Sequence, residues 1–131
     1  MSSPPRAVLS VDFELFAHTP AYRQATGTLS YGDLGLGGGD FLRSQFEAHD
    51  GSMTFFVVAS IAETHPQVIE GLASDGHEIA SHSYSHQLLT ELDPSERREE
   101  LARSKDRLES VLGEPVSGFR APAFDIGLGH F

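Results

Sequence analysis

The sequence predicts an α/β protein built on a parallel sheet or a βα barrel, and three observations predict it. Short β-rich runs alternate with helical spacing in the order β-loop-α-β-α-β-α-β. One of those runs, Met53–Val58 (MTFFVV), is apolar on both faces, as a strand inside a parallel sheet must be. Polar, chemically capable residues stand at the C-terminal ends of the runs, where such folds collect their function.

The first strand is expected over Ala7–Asp12 (AVLSVD), with Asp12 and Glu14 at its C-terminal end. A polar, glycine-rich stretch follows from Phe16 to Gly39, and a connection of that length inside a compact domain is generally functional or mobile. Helical spacing over Asp40–His49 sets Phe41, Leu42 and Phe46 toward one side. After the second strand, Met53–Val58, a helix is expected over Ile61–Ser74, broken near Pro66 and closed by the Asp75-Gly76 turn. His77–His82 (HEIASH) is the third strand. The clearest helix is Asp93–Leu112: Asp93 caps it, Pro94 suits the first helical position, and Glu96 stands where a capping box wants a carboxylate. Leu101, Leu108, Val111 and Leu112 form its apolar stripe, and Gly113 ends it. Val116–Arg120 is the fourth expected strand.

Composition narrows the function. The 131 residues suit one domain, spanning 1–131, and 39% apolar with 21% charged residues is ordinary for a globular chain. A net charge of −10 repels phosphate backbones and anionic lipids, which argues against nucleic acid and membrane partners. No apolar run approaches the roughly 18–20 residues that cross a bilayer. Met-Ser-Ser-Pro-Pro-Arg leads directly into a strand without a signal-peptide core, so the sequence as it stands reads as cytoplasmic. Cysteine is absent, which removes disulfides, thiol nucleophiles and thiolate zinc sites. A metal here would take its ligands from His, Asp, Glu or main-chain oxygen.

Three short motifs carry chemistry. His82-Ser83-Tyr84-Ser85-His86 sets two imidazoles four residues apart; in a helical turn both rings share one face and can grip one ion. With seven histidines in the chain, a pair at that spacing also arises readily by chance. Asp12-Phe13-Glu14 sets two carboxylates on one side of a continuing strand. One can complete a two-His, one-carboxylate site while the other serves as general base on water; a solvated acidic strand end fits the same residues. Arg120-Ala121-Pro122 follows the fourth expected strand, and an arginine there can orient a carboxylate through two parallel hydrogen bonds. Taken singly it reads as a turn arginine. His18, His49, His65, His77 and His130 read as surface or turn residues.

Together these motifs resemble the polysaccharide deacetylases, a carbohydrate esterase family with an acidic first motif, an HxxxH second motif and an R-x-P third motif. His77–His86 (HEIASHSYSH) resembles the second, Gly118–Phe124 (GFRAPAF) the third, and order and intervals agree along nearly the whole chain. The first motif departs from the usual pair of adjacent aspartates. The resemblance implies a distorted seven-stranded (β/α) barrel, of which about the first four strands fall in this sequence. It implies a divalent metal, zinc or alternatively cobalt, nickel or iron, on Glu14, His82 and His86, with Asp12 as general base and Arg120 holding that base. The roles of Asp12 and Glu14 can be exchanged. The implied reaction is hydrolysis of an N-acetyl group on a sugar or polysaccharide.

In the family the leaving amine takes its proton from a histidine in a Leu-x-His motif near the end of the barrel. Leu128-Gly129-His130 spells that pattern but lies only a few residues past the third motif, so the sequence is expected to end inside the domain. A half-barrel with open edges is expected to self-associate. Two other functions fit: a related amidohydrolase acting on a cyclic ureide or other small amide, and a non-catalytic binding or assembly module that keeps the metal ligands.

Overall fold

The computed structural model describes residues 3–24 and 32–127. Three parallel strands, β1 (Ser10–Phe13), β2 (Thr54–Val57) and β3 (Glu78–Ser81), form a sheet in the order β1-β2-β3. Their register is even: Ser10 pairs with Thr54 and Thr54 with Glu78, while Phe13 pairs with Val57 and Val57 with Ser81. The strands therefore end level, and Glu14, Val58 and His82 leave the sheet at one rim. That alignment converts three separate stretches of sequence into a single site.

The helices are α1 (Pro20–Gln24), α2 (Leu36–Ala48), α3 (Ile61–Thr64), α4 (Pro66–Ser74) and α5 (Pro94–Leu112). The expected break at Pro66 divides α3 from α4. Phe55, Val57, Ile61, Ile69, Leu72 and Leu108 are fully buried between sheet and helices. α5 begins as its capping box requires: Asp93 accepts from Ser95 N–H at 2.8 Å and Glu96 N–H at 2.9 Å, while Glu96 accepts from Asp93 N–H at 2.8 Å. Gly113, left-handed at φ 70°, ends it. Buried Ser104 on α5 meets Ser81 at 2.6 Å, a polar peg between helix and sheet.

Two expectations are corrected. The Phe16–Gly39 stretch is not structureless throughout: Phe16–His18 is a 3₁₀ turn, α1 follows, and α2 starts at Leu36 rather than Asp40. Glycine disfavours helix, but a Cβ on Gly39 would stand 2.8 Å from the Phe13 ring, so only glycine lets α2 lie this close to β1. Val116–Arg120 is not a strand but a single parallel bridge between Ser81 and Phe119. Ser81 N–H donates to Gly118 at 2.8 Å and Arg120 N–H to Ser81 at 2.9 Å, whereas Val116 N–H is taken by the Glu109 side chain at 2.8 Å instead of a ladder. Among the described residues no helix is long and apolar enough to cross a membrane.

Candidate active site

β1 turns the Phe13 side chain into the core at 4% exposure and leaves Asp12 and Glu14 at the rim, half-exposed. Beyond β3, His82 is buried at 1% exposure, its N–H donating to Val57 at 2.9 Å. His82 Nδ1 lies 2.8 Å from the main-chain oxygen of Arg120. A carbonyl can only accept, so Nδ1 carries the proton and Nε2 presents its lone pair. That lone pair faces Asp12, with Oδ2 3.7 Å away.

The two imidazoles meet, with ring centroids 5.1 Å apart, but not by way of the expected helical turn. Ser83 and His86 are left-handed, at φ 64° and 61°, and His86 N–H donates back to Ser83 Oγ at 3.0 Å. Ala59 N–H and Ser60 N–H donate to the carbonyls of Ser83 and Tyr84, each at 3.0 Å, tying the turn to the end of β2. Left-handed φ at serine and histidine is stored strain, which concentrates at functional sites. Ala123 and Phe124, beside Arg120, share it at φ 53° and 52°.

Arg120 joins the motifs. Nη1 donates to Asp12 Oδ1 at 2.6 Å and Nη2 to Ser10 Oγ at 2.8 Å, while the guanidinium lies 3.9 Å over the Phe56 ring. Phe56 pairs with Asp12 across the sheet, so β2 supplies the platform on which the arginine reaches its carboxylate.

Glu14 Oε2 stands 2.8 Å from His86 Nε2, yet this buried oxygen has no hydrogen-bond partner. Close contact with His86 holds the Glu14 carboxyl below the usual carboxylate range, against the opposing effect of burial. Burial holds His82 below the ordinary imidazole value and so favours its neutral, ligand-competent form. Among the described residues no three His, Asp or Glu side chains already converge as an ion cage, and Glu14 and His86 are in contact with each other. The donor set nonetheless fits a divalent cation. It offers an orphaned carboxylate oxygen, an imidazole whose tautomer is fixed by a main-chain carbonyl, and a second imidazole beside both.

Asp12, Glu14, His82, His86 and Arg120 are thus brought to one rim, while Leu128-Gly129-His130 lies outside the described residues. Two histidines correct the surface reading. His77 is buried at 7% exposure at the opposite end of the sheet, edge-on to Phe46 and Phe55 and accepting from Met53 N–H at 3.3 Å. His18 is half-buried: Nδ1 accepts from Leu15 N–H at 3.0 Å and Nε2 lies 3.1 Å from Ser60 Oγ. Burial lowers its pKa, with a further contribution from His86. Its place four residues after Glu14 was the available signal. Beside His86 opens a cleft of about 500 Å³ lined by Pro20, Arg23, Ser85, Leu88 and Glu91.

The polysaccharide deacetylase family model matches residues 43–127. The peptidoglycan-N-acetylglucosamine deacetylase of Bacillus cereus is 26% identical over 116 residues, which cover 85% of this chain and 41% of that protein. A crystal structure from Mycobacterium smegmatis, provisionally named a polysaccharide deacetylase, superposes with a TM-score of 0.80 at 30% identity, covering 98% of this chain and 48% of that one. A CE4 family pseudoenzyme from Bacillus anthracis shares the fold, with a TM-score of 0.72 at 16% identity over 92% of this chain and 36% of the other. The chain spans less than half the length of each.

Proposed function

The chain belongs to the polysaccharide deacetylase family, and on that premise we propose that it carries the base and the metal ligands of a hydrolase that removes N-acetyl groups from an N-acetylated sugar or polysaccharide. The observation that carries this reading is the convergence at one rim of an arginine-held carboxylate with a second carboxylate and two imidazoles. Names among its relatives, such as peptidoglycan-N-acetylglucosamine deacetylase and chitin deacetylase, support the substrate class.

Glu14, His82 and His86 would hold a divalent metal, zinc or else cobalt, nickel or iron. When bound, that ion supplies Lewis-acid polarisation of the amide carbonyl and of water. The remaining steps belong to the chain. Arg120 fixes Asp12 through Oδ1 and leaves Oδ2 to take a proton from the attacking water. The Arg120 carbonyl keeps the proton of His82 on Nδ1, away from the reacting side. The water oxygen bonds to the acyl carbon, the amide C–N bond breaks as the leaving amine receives the proton that Asp12 took from water, and acetate is released. Acetate release from N-acetylated chito-oligosaccharides, with Asp12→Asn beside the parent, tests the reading. Release by the parent that falls in the variant supports it; equal release by both contradicts it.

A second reading is a metal-binding or assembly module without turnover. A neighbour that shares the fold and is named a CE4 family pseudoenzyme shows that this architecture also occurs without turnover. Bound metal with no acetate release identifies this case. Self-association belongs to either reading, since Val8 and Leu9 beside β1 and Phe119, Phe124 and Ile126 beyond β3 are exposed apolar side chains. Sedimentation velocity tests it: oligomers are expected, and a monomer at high concentration contradicts it.

A further inference from the structure

The turn that carries His86 is held by two side chains from distant elements, neither of them in the three motifs. Glu100, on α5, accepts from Ser85 N–H at 2.6 Å and from Ser85 Oγ at 2.7 Å through the same oxygen. Arg23, on α1, donates to the main-chain oxygen of Ser85 and, at 3.5 Å, to that of His86. Ser85 is therefore gripped by opposite charges, a carboxylate on its N–H and a guanidinium on its carbonyl. Hydrogen bonds to charged groups are about twice as strong as neutral ones. Those bonds act immediately before His86, where φ is 61° and the relaxed chain would turn away.

We propose that Arg23 and Glu100 are positioning residues, a charged clamp that fixes the Ser83–His86 turn so that the His86 ring faces Glu14. The proposal rests on the metal-site reading of Glu14, His82 and His86. The clamp also explains why a helix as short as α1 lies beside the site. Arg23 ties it to the turn, and Pro20 and Arg23 then wall the cleft next to His86. Ligand orientation and cleft shape are set by the same contacts.

The test uses the full chain with Arg23→Ala and Glu100→Ala, and three readouts. These are zinc affinity by chelator competition, the visible spectrum of bound cobalt(II), and the ring resonance of His86 in metal-free protein, identified by its loss in His86→Gln. Each alanine variant is expected to lose about tenfold in zinc affinity, as residues that orient ligands do. The cobalt spectrum shifts, and the His86 ring signal moves toward that of exposed His49. Arg23→Lys, which keeps the charge but lacks the two-pronged donor, recovers part of the affinity. Should an alanine variant unfold, Arg23→Lys and Glu100→Gln carry the comparison. Unchanged affinity, spectrum and ring signal in folded variants would overturn the clamp. If the parent binds no zinc or cobalt, the metal-site reading falls and the ring signal alone decides: movement upholds the clamp, constancy overturns it.

Discussion

The guanidinium of Arg120 donates to Asp12 at 2.6 Å across a separation of 108 residues. The main-chain oxygen of the same arginine accepts a hydrogen bond from His82 Nδ1–H at 2.8 Å. One residue thus governs a candidate base by its side chain and a candidate ligand by its backbone, and substitution can separate the two roles.

Arg120→Ala removes the side-chain bond and keeps the carbonyl. Metal affinity is expected to stay within a few-fold of the parent, while deacetylation falls about 10²-fold, the cost of misplacing a reacting group. Asp12→Asn is expected to lower turnover by roughly 10²–10⁴-fold, as loss of a general base does. Calorimetric metal titration beside acetate release separates the effects; loss of metal in Arg120→Ala would show that the arginine supports the ligands through its side chain.

Packing makes a second prediction. A Cβ on Gly118 would stand 2.9 Å from Ala80 Cβ, between the bridge segment and β3. Gly118→Ala is therefore expected to destabilise by about 1–3 kcal/mol, the usual range for overpacking. Urea unfolding should show a lower midpoint with an unchanged slope; an unaltered midpoint would mean that the bridge segment shifts freely.

Much of this was legible beforehand, for physical reasons that differ by residue. The capping box at Asp93 and the apolar stripe through Leu108 are local signals, and α5 formed where they placed it. The strand ends were legible because Asp12, Glu14 and His82 each follow a β-rich run. The left-handed turn at Ser83 and His86 was not, because four-residue histidine spacing fits a helix equally well. Gly39 was misread because its close approach to Phe13 is tertiary and leaves no local mark. Arg23 and Glu100 were invisible for the same reason: their bonds to Ser85 are tertiary, and Arg23 meets only main-chain oxygens, which carry no mark in the sequence.

Buried hydroxyls supply a third prediction. Ser104→Ala leaves the Ser81 hydroxyl without its partner in a buried contact, at a cost of about 1–3 kcal/mol. Leu108→Ala, one turn along the same helix, is expected to cost about 2–5 kcal/mol through the cavity it opens. Chemical denaturation of both variants checks the ranking, and a Ser104→Ala loss larger than that of Leu108→Ala would reverse it.

Acid stability follows from the direction of the pKa shifts. Burial sets His82 and His18 below their ordinary 6.5, so the unfolded chain binds protons there first and stability falls as pH drops below about 6.5. Glu14 in contact with His86 and Glu109 paired with Lys105 lie below 4.5, and Asp93 bonded to Glu96 N–H lies below 3.8. Stability from these carboxylates is present above those values and is lost as pH falls further. Urea unfolding from pH 8 to 3 should therefore show a plateau and then a two-stage decline. Stability that rises between pH 7 and 5 would contradict the burial of neutral His82.

The most direct measurement is metal content and affinity of the purified chain beside a His82→Ala/His86→Ala double variant. One divalent ion per chain in the parent, lost in the variant, is the predicted result. Metal-free protein in both, after incubation with zinc, cobalt, nickel and iron in turn, would contradict the assignment of Glu14, His82 and His86 as ligands.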